Sequence, residues 1–199
     1  MKFDEQLSRI KTKLEKLKSK DKDLQVFGAD SHQYEIDSPA TLDDILEFEN
    51  KYDVRLPEEY IAFITNIGNG GLSYDGGGAG PYYGIYPLGE FGYMQIDKES
   101  MSSPSVINSG LTQNNWEDMT AFSQGGVESI ENDRKYKELF NGMMSLGTRG
   151  CSGQTMLIVK GDDYGRVAYI DQDLYLPSLP AANNFLDWYE QWLDENLKA

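Results

Sequence analysis

One cysteine, Cys151, and one histidine, His32, are the chain's scarcest reactive side chains, and they bound its chemistry first. A Cys–His dyad needs both residues to meet and a third group to orient the imidazole. Cys151 sits in a Gly-rich turn, His32 in a polar stretch before the first clear helix, and nothing in their spacing joins them. They read as a turn or buried thiol and a surface imidazole. A Ser-His-Asp triad has His32 as its only base, and no G-x-S-x-G elbow is present. A structural zinc site wants about four nitrogen or sulfur ligands, and the chain offers two.

The remaining motifs are equally spare. A phosphate loop of the Walker type needs a lysine and a hydroxyl after its last glycine. Around Gly153-Gln154-Thr155 the lysine position is Gln154 and the first glycine position is Thr148. Asp162, Asp163, Asp171 and Asp173 lack the alternating spacing of a calcium loop and read as solvated hairpin acids. Carboxylate neighbours such as Glu58-Glu59 and Glu117-Asp118 could do acid–base work, but with 33 acids some adjacency arises by chance. The expectation is a chain that is not an enzyme and uses no metal or cofactor.

The aromatics are more telling. Seven glycines fall in the 13 positions from Gly68 to Gly80, and Tyr74, Tyr82, Tyr83, Tyr86 and Tyr93 crowd that segment and its sequel. Trp116 lies in a polar stretch beside Glu117 and Asp118. Aromatics beside carboxylates on flexible glycine-rich loops suit a protein-binding surface, where aromatic anchors dominate. The candidate partner-binding residues are therefore Tyr74, Asp75, Tyr82, Tyr83, Trp116, Glu117 and Asp118. Alternate aromatics must fill the inner face of a sheet instead.

Length and charge set the frame. The 199 residues suit one domain, and the formal charge is −15 from 18 basic and 33 acidic residues. Residues 1–23 hold eight basic and five acidic residues, a net of +3, so the other 176 carry −18. That balance argues against nucleic acid and against an anionic membrane, and permits a basic protein partner. A single cysteine excludes an intramolecular disulfide and points to a reducing compartment. No apolar signal core opens the chain, and no run approaches the about 20 residues that span a bilayer. The expected location is cytoplasmic, with a monomer favoured.

The elements that must position these residues are legible in part. Phe3, Leu7, Ile10, Leu14 and Leu17 recur at helical steps, and packing of this stripe on the chain's own domain is favoured over a short coiled coil or partner-docking helix. Residues 24–40 read as a polar connector or short strand. Thr41 is the expected N-cap of a helix through Ile45, Phe48 and Tyr52, with Asp43 and Asp44 in its first turn. Pro57 is expected at the first position of the next helix, through Tyr60, Phe63 and Ile64, ending at Gly68. Tyr82–Leu88 and Phe91–Ile96 read as strands. Residues 98–125 form a polar insertion, and Glu128–Phe140 a short helix. A hairpin with a Gly147–Gly150 turn precedes strands at Thr155–Lys160 and Arg166–Ile170, and a helix capped near Asn183 or Asn184 closes the chain. The division is residues 1–37, an N-terminal helix and connector packed on the domain, and residues 38–199, the domain itself.

The run from Leu46 to Phe63, followed by Asn69-Gly70-Gly71, resembles the SUKH superfamily, the Smi/Knr-like family. Glu49, Leu56, Pro57, Tyr60, Phe63, Asn69, Gly70 and Gly71 occupy the places of its signature. The Gly84–Leu88 segment, the Gly165-Arg166-Val167 turn and the Phe185–Trp192 helix are similar to its later blocks, so the likeness covers roughly residues 38–197. It implies an α+β fold, helices packed on a mixed and mainly antiparallel sheet, without cofactor or catalysis. For bacterial members it implies immunity proteins that bind and silence a toxin's effector domain, often a nuclease. The alternative it implies is a regulator of cell-wall glucan synthesis. The signature residues look structural, so they identify a fold and not a partner surface.

Overall fold

The structure is a computed structural model and describes residues 2–125 and 130–198. It is α+β. Among the described residues are eight α-helices and a three-stranded antiparallel sheet. Their order is α1 (Asp4–Lys20), α2 (Ala29–His32), α3 (Leu42–Tyr52), α4 (Glu58–Asn66), α5 (Lys98–Ser102), α6 (Gln113–Thr120), α7 (Ile130–Glu138), β1 (Met143–Gly150), β2 (Gly153–Ile158), β3 (Val167–Asp171) and α8 (Phe185–Lys198).

The signature block shows how local chemistry builds this frame. Thr41 and Asp44 form a reciprocal capping box at the start of α3, which satisfies otherwise unpaired N–H groups. At the other end Glu49 is buried, and its Oε1 accepts from Leu56 N–H at 2.8 Å while Oε2 accepts from Arg55 Nη1 at 2.5 Å. One carboxylate thereby closes the turn into α4. Pro57 is the N-cap of that helix, one place ahead of the expected first position. Tyr60 and Phe63 then bury against α8: Phe63 meets Tyr189 at 4.5 Å and Phe185 at 5.1 Å between ring centroids. Asn184 caps α8, its Oδ1 accepting from Asp187 N–H at 2.9 Å.

α1 lies along α8. Leu7, Ile10, Leu14 and Leu17 are buried, as the favoured reading of the stripe expects. The basic residues beside that stripe do not all point to water, however. Arg9 and Lys13 pair with Glu190 of α8 at 2.9 Å each, and Lys13 also reaches Asp194 at 2.6 Å.

The sheet runs in the order β1-β2-β3, with register pairs Met144 to Leu157 and Met156 to Ala168. Side chains alternate across it, so successive residues feed different cores. Met144, Leu146, Leu157, Val159 and Val167 join the core shared with α1, α3, α4 and α8. Met143, Met156, Ile158, Ala168 and Ile170 join a second core with Ile107, Trp116, Leu139 and Phe140. Most of the polar insertion covers this second face: Ile107, then Trp116 and Met119 of α6, and Phe122 of a 3-10 turn at Ala121–Gly125 pack there, whereas Met101 of α5 joins the first core.

Four expectations are corrected. Tyr82–Leu88 and Phe91–Ile96 form turns and the single bridge Gly78 to Ile85, because Gly84 and Gly92 take positive φ and Pro87 interrupts pairing. Gly147–Gly150 are strand, and the turn is Cys151-Ser152. Residues 24–40 contain the short α2 instead of a strand. His32 is buried, at 2% exposure, instead of lying on the surface. Of the expected Glu128–Phe140 helix, α7 begins at Ile130, and Glu128 lies outside the described residues. No described helix is long and apolar enough to cross a membrane.

Candidate protein-binding face

The glycine-rich segment is tied down by backbone hydrogen bonds, where its composition suggests a flexible loop. Gly77 N–H donates to Tyr83 O at 2.7 Å, Gly78 N–H to Ile85 O at 2.8 Å, and Ile85 N–H returns to Gly78 O at 2.9 Å. A Cβ added to Gly77 would strike the Ile85 backbone, so glycine there permits the close approach of two chain segments. Ser31 of α2 ties down the tip: its hydroxyl lies 2.8 Å from that of Ser73 and accepts from Asp75 N–H at 3.3 Å. On this scaffold Tyr74 is 96% exposed, with Leu72 (67%) and Asp75 exposed beside it. A large aromatic held out on fixed backbone loses little entropy on binding, which is how anchor residues gain affinity.

Tyr82 and Tyr83 stand behind this tip, half-buried. The Tyr82 ring meets that of Tyr169 edge-on at 5.5 Å, and the Arg149 guanidinium lies over both, 4.6 and 4.3 Å from their centroids. Arg149 Nη2 donates to Tyr82 Oη at 3.4 Å, and Trp188 Nε1–H donates to Tyr169 Oη at 2.8 Å. Burial, with the neighbouring Tyr82, pushes the Tyr169 hydroxyl up to about 12 although Trp188 and Arg149 pull the other way, so it stays a neutral hydroxyl. Tyr83 packs its ring on Phe27 at 5.2 Å. These two tyrosines form a wall and Tyr74 a free anchor.

Trp116 does not belong to this face. It is 3% exposed, fills the second core, and donates its Nε1–H to Leu174 O at 2.8 Å. Both sheet faces are apolar and need covering, so the insertion's rings, Trp116 and Phe122, turn toward the second core. Glu117 and Asp118, on the outer side of the same helix, are exposed. Among the seven candidates the structure therefore gathers Tyr74, Asp75, Tyr82 and Tyr83, and leaves Glu117 and Asp118 on α6. Residues the composition did not flag join the first group: Leu72, Phe27, Tyr169 and Arg149. A phenylalanine alone in the polar 24–40 connector was the one available signal.

The scarce residues are accounted for. His32 Nδ1 accepts from Tyr34 N–H at 3.0 Å, and its ring lies edge-on to Tyr34 and Trp192. Burial lowers its pKa to about 4, outweighing the Gly80 carbonyl and the nearby Asp30 and Asp21, so the imidazole is a neutral core group. Cys151 is exposed at the β1–β2 turn. Asp163 accepts from Arg166 at 2.9 Å and Asp173 from Ser152 at 2.9 Å, so these acids serve turns.

The signature residues all carry frame. Besides Glu49, Leu56, Pro57, Tyr60 and Phe63 described above, Asn69 Oδ1 accepts from Leu88 N–H at 3.0 Å, Gly70 O accepts from Asp37 N–H at 2.7 Å, and Gly71 N–H donates to Ile85 O at 3.0 Å. Asn69-Gly70-Gly71 thus knits α4 to the glycine-rich hairpin. The family model for the SMI1 / KNR4 family (SUKH-1) matches residues 39–191. The chain belongs to this family. Comparison with curated proteins and with solved structures returns no match. The SUKH match spans α3 to the first half of α8, and α1 and α2 precede it.

Proposed function

We propose that the chain is a non-enzymatic binding module, an immunity protein that occludes the effector domain of a basic toxin in the cytoplasm. The observation that carries this reading is the tip Leu72–Asp75: an aromatic anchor at 96% exposure, beside a carboxylate, next to glycine backbone closely packed on its neighbouring segment. Charge supplies the sign of the partner. Arg9 and Lys13 of α1 neutralise Glu190 and Asp194 of α8 at the seam, and the chain as a whole still carries −15. A basic nuclease domain approaching such a body gains association rate, and loses it as salt rises. The burial of His32 removes the chain's only imidazole from catalysis, which supports a binding role over an enzymatic one.

The test is calorimetric titration of the full chain with the basic C-terminal domain of a toxin-like protein sought beside its gene, whose absence there also counts against the immunity reading. Tight, salt-sensitive binding that silences the domain, weakened about tenfold or more by Tyr74→Ala, is the expected result. Capture of wall-synthesis enzymes with no affinity for that domain overturns the immunity reading in favour of a regulator. Hydrolytic turnover abolished by one carboxylate substitution overturns the binding-module reading altogether.

A further inference from the structure

A cleft of about 240 Å³ opens between α8, the connector around Phe27, and the loops at Pro81-Tyr82 and Pro180. Phe27, Tyr82 and Tyr169 wall it, Trp188 and Trp192 form its floor, and Glu195 is the only charged side chain among its described lining residues. Part of this site lies outside the family match: Phe27 precedes residue 39, and Trp192 and Glu195 follow residue 191. It is therefore built where the unmatched N-terminal segment meets the matched body.

The surroundings of the cleft say what would enter. Phe27 is 60% exposed on the rim although its ring is held edge-on by Tyr83, so an apolar surface stands ready on one wall. On the neighbouring face of α8 the acids are already engaged, Glu190 by Arg9 and Lys13, Asp194 by Lys13 and Asp187 by Gln6, so Glu195 carries the charge at the cleft. Glu195 accepts from Gln191 Nε2 at 2.7 Å and pairs with no described cation, which leaves its charge available. Arg149 already covers faces of Tyr82 and Tyr169, so a second cation is drawn to the Glu195 end. Trp188 has its N–H committed to Tyr169, which removes a donor that a backbone carbonyl in the cleft would use.

We propose that this cleft receives a lysine or arginine side chain of the partner, its methylene stem along Phe27 and the aromatic floor and its charged head at Glu195. The proposal rests on the basic-partner reading above and names where such a partner is gripped. It gives specificity to the part of the chain that lies outside the family match.

The full chain, isotope-labelled, is titrated to millimolar concentration with two peptides differing only in a central arginine or norleucine, and with a proline-rich peptide. The indole signals of Trp188 and Trp192 report the cleft, and that of Trp116, in the other core, reports the fold as a whole. The arginine peptide is expected to shift the first two and leave the third, with affinity about fivefold above norleucine. Glu195→Gln abolishes that preference and Phe27→Ala weakens both peptides; both positions are exposed, so folding is preserved. Equal binding of norleucine, preference for the proline-rich peptide, or no shift overturns the proposal. Wild-type affinity of a Phe27→Ala/Glu195→Gln variant for the basic toxin domain also overturns it while the immunity reading stands. Arginine-selective binding in a chain that binds no toxin supports the cleft and removes the immunity reading.

Discussion

The α1–α8 seam and the glycine-rich tip are built from the same residue types and end in opposite states. At the seam, apolar side chains and charges are both consumed within the molecule: Ile10 and Leu17 are fully buried, and Glu190 gathers Gln6, Arg9 and Lys13. At the tip, Leu72, Tyr74 and Asp75 have no such partners among the described residues and face water. The difference lies in what the backbone does. A long helix can lay one stripe on another helix, whereas a hairpin locked by glycine contacts cannot bend to bury its own end. Surface that a chain cannot cover itself is the surface a partner can cover.

That contrast breaks most visibly at Ile10. Truncation to alanine leaves a cavity in the seam and should lower unfolding free energy by about 2–5 kcal/mol, read from denaturant midpoints at unchanged slope. A loss under about 1 kcal/mol would mean that α1 is only loosely laid on α8.

Glu190 gives the intermediate effect. Burial alone would raise its carboxyl, but hydrogen bonds from Arg9, Lys13 and Gln6 and the charge of Lys13 hold it at about 2. A depressed carboxylate stabilises the fold above the unfolded-state value of about 4.3, and the contribution disappears as pH falls through about 2. Glu190→Gln should therefore cost about 1–2 kcal/mol at neutral pH, the lower part of the range for charged hydrogen bonds because Arg9 is half exposed. The gap between variant and wild type should narrow as thermal melts are taken from pH 5 toward pH 2. A gap that stays constant with pH would place the effect in packing instead.

Tyr74→Ala closes the series. Its ring touches solvent, so stability should change by no more than about 0.5 kcal/mol while partner affinity falls. A melting shift as large as that of Ile10→Ala would show that the tip is a folding element and erase the contrast.

Much of the frame was readable in advance because its signals are local. A threonine with an aspartate three residues on, a proline before two acids, and an asparagine before a helix each act within a single turn. The α1 stripe was readable because period alone marks a buried face. The glycine segment misled, since glycine serves mobility and close contact equally well and composition does not say which. Trp116 misled for a related reason. Its neighbours are polar, and only the run Met156-Leu157-Ile158-Val159, apolar at consecutive positions, hinted that both sheet faces needed cover. The aromatic cleft was beyond reach, because Phe27, Tyr82, Tyr169 and Trp192 are spread over most of the chain.

By itself the sequence determined the helical signature block with its caps and an acidic body preceded by a basic helix, since each follows from short-range spacing or from counting. The α+β class came with the family resemblance that block carries. Tertiary structure alone decided which aromatics are anchors and which are core, that the basic helix is turned toward α8, and that Phe27 meets Glu195 across one cleft. Exposure and long-range pairing depend on what covers what, and that is set by the packing of layers distant in the chain.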